Sequence, residues 1–449
     1  MNNHIIKKHW SSSQIIIFSF AAMILVGTVL LMLPVSSRQG VWTPFIDALF
    51  TSTSASCVTG LVVQDTATYW SPFGQLVIIT LIQIGGMGVV TMAVAIAIVS
   101  GRKIGLRQRQ TMQDAISAQQ VGGIVKMTGF ILKCSLLFEL LGAVTFSFVF
   151  IPEFGIIKGI WYSLFHAISA FCNAGFDLMG IKSNFSSLVD YTGNGIVNMT
   201  TMLLIVIGGI GFAVWGDFAR HGFKVNRYRM QTKVVLTTSA ILIVFPALYF
   251  YFFEFSLPVW GDMTLSDKLW ASFFRSVTTR TAGFNTVDMT QFTEAGIMMN
   301  IVLMLVGGSP GSTAGGMKTT TLAVLFATAF AVFRKKGSPG YFGRRIGDDA
   351  IRNAATILLM YVTLCVTGAM IISIAEGIPM MVCLFETASA VGTVGLTLGI
   401  TPGLSTLSRL VLICLMYFGR VGGLTIIFAT VKGVQNGNAK YPLEKITVG

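Results

Sequence analysis

Charge is scarce in this sequence. Of its 449 residues only 11% are Asp, Glu, Lys or Arg, against roughly a quarter in a soluble domain. Acids are scarcer still, 18 against 31 lysines and arginines. With 53% hydrophobic residues and a mean hydropathy of +0.75, the shortfall excludes a soluble chain and marks an integral membrane protein. Cysteines are few and scattered, at Cys57, Cys134, Cys172, Cys365, Cys383 and Cys414. No C-x-x-C pair occurs among them, so neither a zinc site nor a disulfide framework is expected. No small-residue cleavage site follows the first apolar run, residues 14–33. That run is expected to persist as a membrane helix rather than to serve as a signal peptide.

The net charge of +13 does not point to nucleic acid, because of where it sits. Basic residues cluster between apolar runs: Arg102, Lys103, Arg107 and Arg109; Arg220, Lys224, Arg227, Arg229 and Lys233; Arg334, Lys335, Lys336, Arg344, Arg345 and Arg352. Lys7, Lys8, Lys432, Lys440 and Lys445 lie towards the two ends. The alternate loops carry Asp65, Glu153, Asp177, Asp190, Glu254, Asp262, Asp267, Asp288, Glu294 and Glu376. Basic loops stay on the cytoplasmic side. A multi-pass protein of the cell membrane with both termini cytoplasmic is expected, and topology alone accounts for the charge.

The stretch "GGSPGSTAGGMKTTT", residues 307–321, looks like a phosphate-binding loop. Such a loop needs G-x-x-x-x-G-K-[ST], so that backbone N–H groups and the lysine converge on phosphate. Here Met317 stands between Gly316 and Lys318, and both flanks are long apolar runs rather than a strand and a helix. The register and context exclude a nucleotide site, and with it a membrane ATPase.

The chain repeats itself four times. Long outer spans are expected near 14–33, 122–151, 234–253 and 353–375, and inner spans near 73–100, 194–219, 296–333 and 405–432. Between them stand shorter segments, near 44–57, 159–172, 267–280 and 379–391. These are too short for a ~30 Å hydrocarbon core and fit re-entrant helices buried by protein. The repeats divide the chain into residues 1–110, 111–228, 229–344 and 345–449.

Each short segment ends in a related turn: "SCVTGLV", "FCNAGFD", "TRTAGFN" and "VGTVGLT". Their glycines are Gly60, Gly175, Gly283 and Gly395, evenly spaced along the chain. Glycine frees the backbone for unusual dihedrals, and rings of carbonyls can replace the water around a cation. Re-entrant helices ending at the turns aim their negative dipole ends at the same place. Turns with hydroxyls and carbonyls but few charges suit a monovalent cation. A second echo runs through the inner spans as "IGGMG" (84–88), "IGGIG" (207–211), "VGGSPG" (306–311) and "FGRVGG" (418–423). The third inner span, with its glycines and Pro310, is expected to break in the middle, leaving Ser309–Gly316 as a loop in the pore.

With these motifs in view, the chain resembles the Trk/Ktr/HKT superfamily of potassium transporters over essentially its full length. Thr393-Val394-Gly395-Leu396-Thr397 looks like the Thr-Val-Gly-Tyr-Gly filter of potassium channels. "TSTSASCVTGLVVQDT", "TTRTAGFNTVD", "GGSPGSTAGGMKTTT" and "YPLEKITVG" are close to the membrane subunit of the Ktr type. The resemblance implies an all-α membrane protein of four helix–pore helix–filter loop–helix units around one central pore. It implies a selectivity filter at Val58, Thr59, Gly60, Asn173, Ala174, Gly175, Thr281, Ala282, Gly283, Thr393, Val394 and Gly395, with K⁺ held by their carbonyls and no other metal. It implies a gate of Gly307, Gly308, Ser309, Pro310, Gly311, Ser312, Thr313, Ala314, Gly315, Gly316, Lys318 and Arg420. In HKT relatives a serine at the first filter glycine accompanies sodium preference; glycine at all four positions here favours potassium. The resemblance further implies a homodimer with one pore per subunit, and a cytosolic ring of nucleotide-binding subunits of the KtrA/KtrC kind. The nucleotide then belongs to the partner, and no cofactor is expected on this chain.

Several charges fall within or beside the apolar runs. Arg420, inside "LICLMYFGRVGGLTIIF", reads either as a cation below the filter or as a tie to helix-end carbonyls. Glu139 is expected to pair with another helix or a dimer neighbour, Glu386 to brace the fourth turn, and His166 to be a satisfied packing residue. Arg275 and Arg280 are expected to brace the third turn rather than bind ions. A sodium- or proton-coupled transporter is the alternative. Such folds place charged sites at broken helices near the midplane, and this chain has few intramembrane acids.

Overall fold

A computed structural model describes residues 10–99, 105–115 and 123–430. Lys7, Lys8, Arg102, Lys103, Lys432, Lys440, Lys445 and the "YPLEKITVG" stretch lie outside the described residues, as do span ends at 100, 122 and 432.

Four units of one plan follow each other. The first has α1 (Ser12–Met32), α2 (Phe45–Cys57), α3 (Pro72–Met87) and α4 (Val89–Val99), followed by α5 (Leu106–Ala115). The second has α6 (Ile124–Phe154), α7 (Ile156–Phe171), α8 (Gly195–Gly209) and α9 (Phe212–His221). The third has α10 (Met230–Tyr249), α11 (Leu265–Thr278), α12 (Glu294–Leu305) and α13 (Thr319–Phe333). A small hairpin, β1 (Gly340–Tyr341) and β2 (Arg344–Arg345), precedes the fourth: α14 (Asp348–Glu376), α15 (Met380–Gly392), α16 (Thr406–Val421) and α17 (Gly423–Thr430). Boundaries drawn at 110/111 and 344/345 fall inside α5 and β2.

The outer helices α1, α6, α10 and α14 are long and apolar enough to cross a membrane, α10 by continuing through a π-helical turn to Glu254. No more than a third of each span is buried, which leaves most of its apolar surface for lipid. Polar caps start many elements: Ser11 and Thr264 in capping boxes, and Ser71, Asn194, Thr293 and Ser405 by accepting a backbone N–H. The short helices α2, α7, α11 and α15 run 13 to 16 residues. At 1.5 Å per residue that is about 20–24 Å, too short to span. Their C-terminal parts are instead enclosed by protein, as backbone ending at membrane depth requires. Glu254, expected in an acidic loop, is buried and accepts from the Thr293 amide and hydroxyl, each at 2.8 Å.

Continuous inner spans were expected in the first, second and fourth units; all four inner spans are in fact broken. α3 and α4 meet at 97°, and α8 and α9 at 94°. The breaks in units one, two and four fall on Gly88 (φ 85°, ψ 130°), Gly211 (φ 97°, ψ 139°) and Gly422 (φ 86°, ψ 128°). These dihedrals are open to glycine and strained for other residues. Hydropathy missed the bends because apolar residues continue on both sides.

The units close into a ring. Each inner helix packs on the short helix of the next unit: α3 on α7, α8 on α11, α12 on α15, and α16 on α2. An ion pair between Arg409 at the start of α16 and Asp47 on α2, at 2.5 Å, joins the last unit to the first. The axis of this ring is the central pore.

Candidate functional site: four turns and the loop beneath them

Each short helix delivers its chain end to the ring axis. Two residues before each filter glycine the backbone is left-handed: Val58 (φ 57°) and Thr393 (φ 52°) directly follow α2 and α15, while Asn173 (φ 60°) and Thr281 (φ 68°) stand two and three residues after the ends of α7 and α11. Three of the four are β-branched, for which this conformation is a genuine outlier. Strain of about 1–3 kcal/mol per residue survives only where surroundings over-determine the backbone. Two residues on, Gly60, Gly175, Gly283 and Gly395 also have positive φ, between 67° and 92°. Left-handed residues at the first and third positions turn successive peptides alike, instead of alternating them as a strand does.

The glycines locate the turns relative to each other. A Cβ on Gly60 would stand 2.5 Å from the Ala174 carbonyl oxygen, and one on Gly175 2.5 Å from that of Ala282. A Cβ on Gly283 would overlap the Val394 oxygen, and one on Gly395 the Thr59 oxygen. The order runs from unit one to two, three, four and back to one. All twelve residues expected at the filter are therefore brought together in one closed ring. Hydroxyls of Thr59, Thr281 and Thr393 and the Asn173 amide nitrogen are buried there without a protein partner, the mark of a site for water or a ligand.

A hydroxyl on each short helix supports its turn, and sequence reasoning missed it. Ser54 and Ser389 accept from the Gly60 and Gly395 amides at 3.1 and 3.0 Å. Ser169 and Thr278 donate to the Phe176 and Phe284 carbonyls at 2.7 Å. The signal was the recurrence of a Ser or Thr five or six residues before each filter glycine. Ser389→Ala removes a bond worth about 1 kcal/mol. The ratio of potassium to sodium uptake is expected to fall about fivefold, with Ser389→Thr restoring most of it.

The glycine echo has a second role. A Cβ on Gly85, Gly208 or Gly419 would overlap the carbonyl oxygen of Ser56, Phe171 or Val391, four residues before each filter glycine. Glycine lets the inner helix lie directly on the end of its own short helix.

One side of the ring opens into a cavity of about 230 Å³, lined by all four filter glycines and by Asp65, Asp177 and Asp288. Among the described residues no lysine or arginine lines it. Burial, with Asp65 nearby, pushes the Asp177 carboxyl up to about 7. Glu386 accepts from the hydroxyls of Thr397 and Thr401 and so holds the chain leaving the fourth turn.

On the opposite side the chain between α12 and α13 forms a buried loop. Its base is pinched by Gly307 N–H to Met317 O (2.8 Å) and Thr319 N–H to Gly308 O (3.0 Å). The loop touches the first position of three turns. The Thr313 hydroxyl is 3.3 Å from Asn173 Oδ1; Cβ atoms on Gly307 and Gly315 would crowd the side chains of Thr281 and Thr393. Backbone bonds fix it to the echo glycines: Ser309 N–H to Gly209 O (2.9 Å), Thr313 N–H to Gly208 O (3.2 Å) and Gly316 N–H to Gly419 O (3.2 Å). Lys318 Nζ donates to the carbonyls of Ala314 (2.8 Å) and Gly315 (3.2 Å). The Arg420 guanidinium donates to Thr313 O, Gly85 O and Gly86 O, the last at 2.9 Å. Every residue expected at the gate thus lies in or against this loop.

The other charges weighed from the sequence have protein partners. Glu139 accepts from Gln83 Nε2 at 2.9 Å, within the same chain. His166 is satisfied by Tyr162 O (2.7 Å) and the Leu178 amide (3.4 Å) among aromatic rings. Arg275 binds Asn300 Oδ1 (2.8 Å) and stacks on Phe292, and Arg280 donates to Ser239 (3.2 Å). No group of three or more His, Cys, Asp or Glu side chains is placed to hold a metal among the described residues.

Known proteins share this sequence pattern and fold. A family model described as TrkH, cation transport protein, matches residues 7–440. The chain is 42% identical to the potassium/sodium uptake protein NtpJ of Enterococcus hirae, over 99% of its own length and 98% of that protein. It is 39% identical to the Ktr system potassium uptake protein B of Bacillus subtilis, over 97% and 96%. The crystal structure of the potassium transporter TrkH from Vibrio parahaemolyticus superposes with a TM-score of 0.71 at 19% identity, covering 96% of this chain and 87% of that one. The fourfold ring, the shared fold and the full-length sequence match agree: the chain belongs to the TrkH family of cation transport proteins.

Proposed function

We propose that this chain is the potassium-translocating membrane subunit of a Ktr-type uptake system. The closed ring of four turns carries the reading. It offers uncharged oxygens at a spacing fixed by backbone, which replace the water of a monovalent cation. Four short helices point their negative ends at it, and the mouth carboxylates gather cations from solution. The relatives' descriptions as potassium and potassium/sodium uptake proteins support the ion class. The absence of a carboxylate among the twelve ring residues favours a channel-like path over a coupled transporter.

The loop from Gly307 to Gly316, with Lys318 and Arg420, is the gate in this reading. It occupies the axis below the ring, and its two basic side chains repel a descending cation. A homodimer in the plasma membrane, termini inside, receives a cytosolic ring of nucleotide-binding subunits that shifts the helices carrying the loop. The chain itself catalyses no reaction. The test is potassium and sodium uptake in a transport-deficient cell, with and without a candidate cytosolic subunit. A correctly inserted chain that moves neither ion with any such subunit would sink the proposal.

Gly60→Ser probes selectivity. The new Cβ meets the Ala174 carbonyl at a φ of 90°, a strain of about 1–3 kcal/mol. The potassium-to-sodium uptake ratio is expected to fall about tenfold, with normal insertion. An unchanged ratio removes Gly60 from the filter.

A further inference from the structure

We propose that the β1–β2 hairpin and the facing ends of α10 and α13 form a binding site for the headgroup of an anionic phospholipid. The hairpin folds back onto the helices. The Tyr341 hydroxyl donates to Ala323 O on α13 at 2.9 Å, and Lys233 Nζ on α10 lies 5.8 Å from the centre of the Phe342 ring. It thereby borders two adjoining open concavities. One, of about 500 Å³, is lined by Arg334, Lys336, Tyr341, Arg344 and Arg345; the other, of about 710 Å³, by Arg229, Arg344 and Arg345.

Neither cavity has an acidic lining residue among the described residues. Arg334, Lys336, Arg344 and Arg345 form no ion pair there either. Basic residues that only set topology need no such pocket. These are gathered around a shared concavity by a hairpin held on both sides. Guanidinium pairs match phosphate oxygens bidentately. The first cavity also abuts an apolar surface: Phe330 lines it, and Phe326, Val332 and Phe333 of α13 are more than half exposed. A free phosphate would leave that surface unused, whereas a lipid sets its phosphate among the arginines and its acyl chains along α13.

The full-length chain would be placed in nanodiscs of phosphatidylcholine doped with phosphatidylglycerol. Lipid retained on release is then counted by native mass spectrometry. Wild type is expected to retain phosphatidylglycerol in preference to phosphatidylcholine. A basic side chain near the surface strengthens anionic-lipid binding by about fivefold, so Arg344→Gln with Arg345→Gln should weaken retention by about 25-fold. Both positions are exposed, and Arg344→Lys with Arg345→Lys, keeping the charge, should preserve most of it. Equal retention by the glutamine variant overturns the site. So does displacement of the lipid by inorganic phosphate alone, which would make the ligand a free anion. The readout is lipid, not ion flux, so it stands or falls separately from the transport reading.

Discussion

Gly395→Ala is expected to reduce potassium flux by about 100-fold while leaving the protein in the membrane. Two costs coincide at this position. Alanine must adopt a φ of 92°, and its Cβ must occupy the place of the Thr59 carbonyl oxygen on the neighbouring turn. Left-handed backbone costs a non-glycine residue about 1–2 kcal/mol. The overlap is with backbone in a closed ring, so neither side can withdraw without moving the other three turns. A disturbance of about 3 kcal/mol at the ion path corresponds to about 100-fold in rate. Tracer uptake into proteoliposomes, normalised to inserted protein, measures it. The same alanine at Gly337, which has nothing near its Cβ, should be silent. Wild-type flux in Gly395→Ala would remove the fourth turn from the ion path.

Arg420→Gln is expected to raise flux in the absence of a cytosolic partner by at least about tenfold. The guanidinium joins the loop, through Thr313 O, to the Gly85 and Gly86 carbonyls of α3. Charge-assisted hydrogen bonds contribute about 1.5–3 kcal/mol each, and glutamine can replace one of them at most. The loop loses its tie to the first unit, and the ion path loses a positive charge. Shortening the loop within residues 309–316 is the companion variant. The pinched base at Gly307–Met317 and Gly308–Thr319 would still close a shorter turn. Both variants should weaken the dependence of flux on the partner. Inserted protein with unchanged flux and full partner dependence would falsify the gate.

Much of this was legible in the sequence, for physical reasons. The four turns were visible because glycine alone relieves a positive φ, and because the period between them is even. The short helices were visible because their length cannot span a bilayer, and they begin and end within about three residues of the expected positions. The third inner span was too long for one helix and had to break. The breaks at Gly88, Gly211 and Gly422 were not legible, because a bent apolar helix and a straight one share the same composition. The strain at Val58, Thr281 and Thr393 carried no signal. β-branched residues suit ordinary strands, and only the closed ring imposes the left-handed backbone; Asn173 is of a type that adopts it more readily. The supports Ser54, Ser169, Thr278 and Ser389 were hidden among many other hydroxyls. The partner of Glu139 needed three dimensions, since Gln83 is 56 positions away.

The four turns differ in composition: Val-Thr-Gly, Asn-Ala-Gly, Thr-Ala-Gly and Thr-Val-Gly. In a channel assembled from four identical chains, any substitution is copied into every quarter of the ring. Here it is written once. A codon change alters one wall and leaves three as controls, so effects on ion preference can come in graded steps. The quarters are also free to diverge. One wall can hold an amide where another holds a threonine, so the ring presents four different faces. Covalent linkage thus makes an aperture whose four sides can change independently.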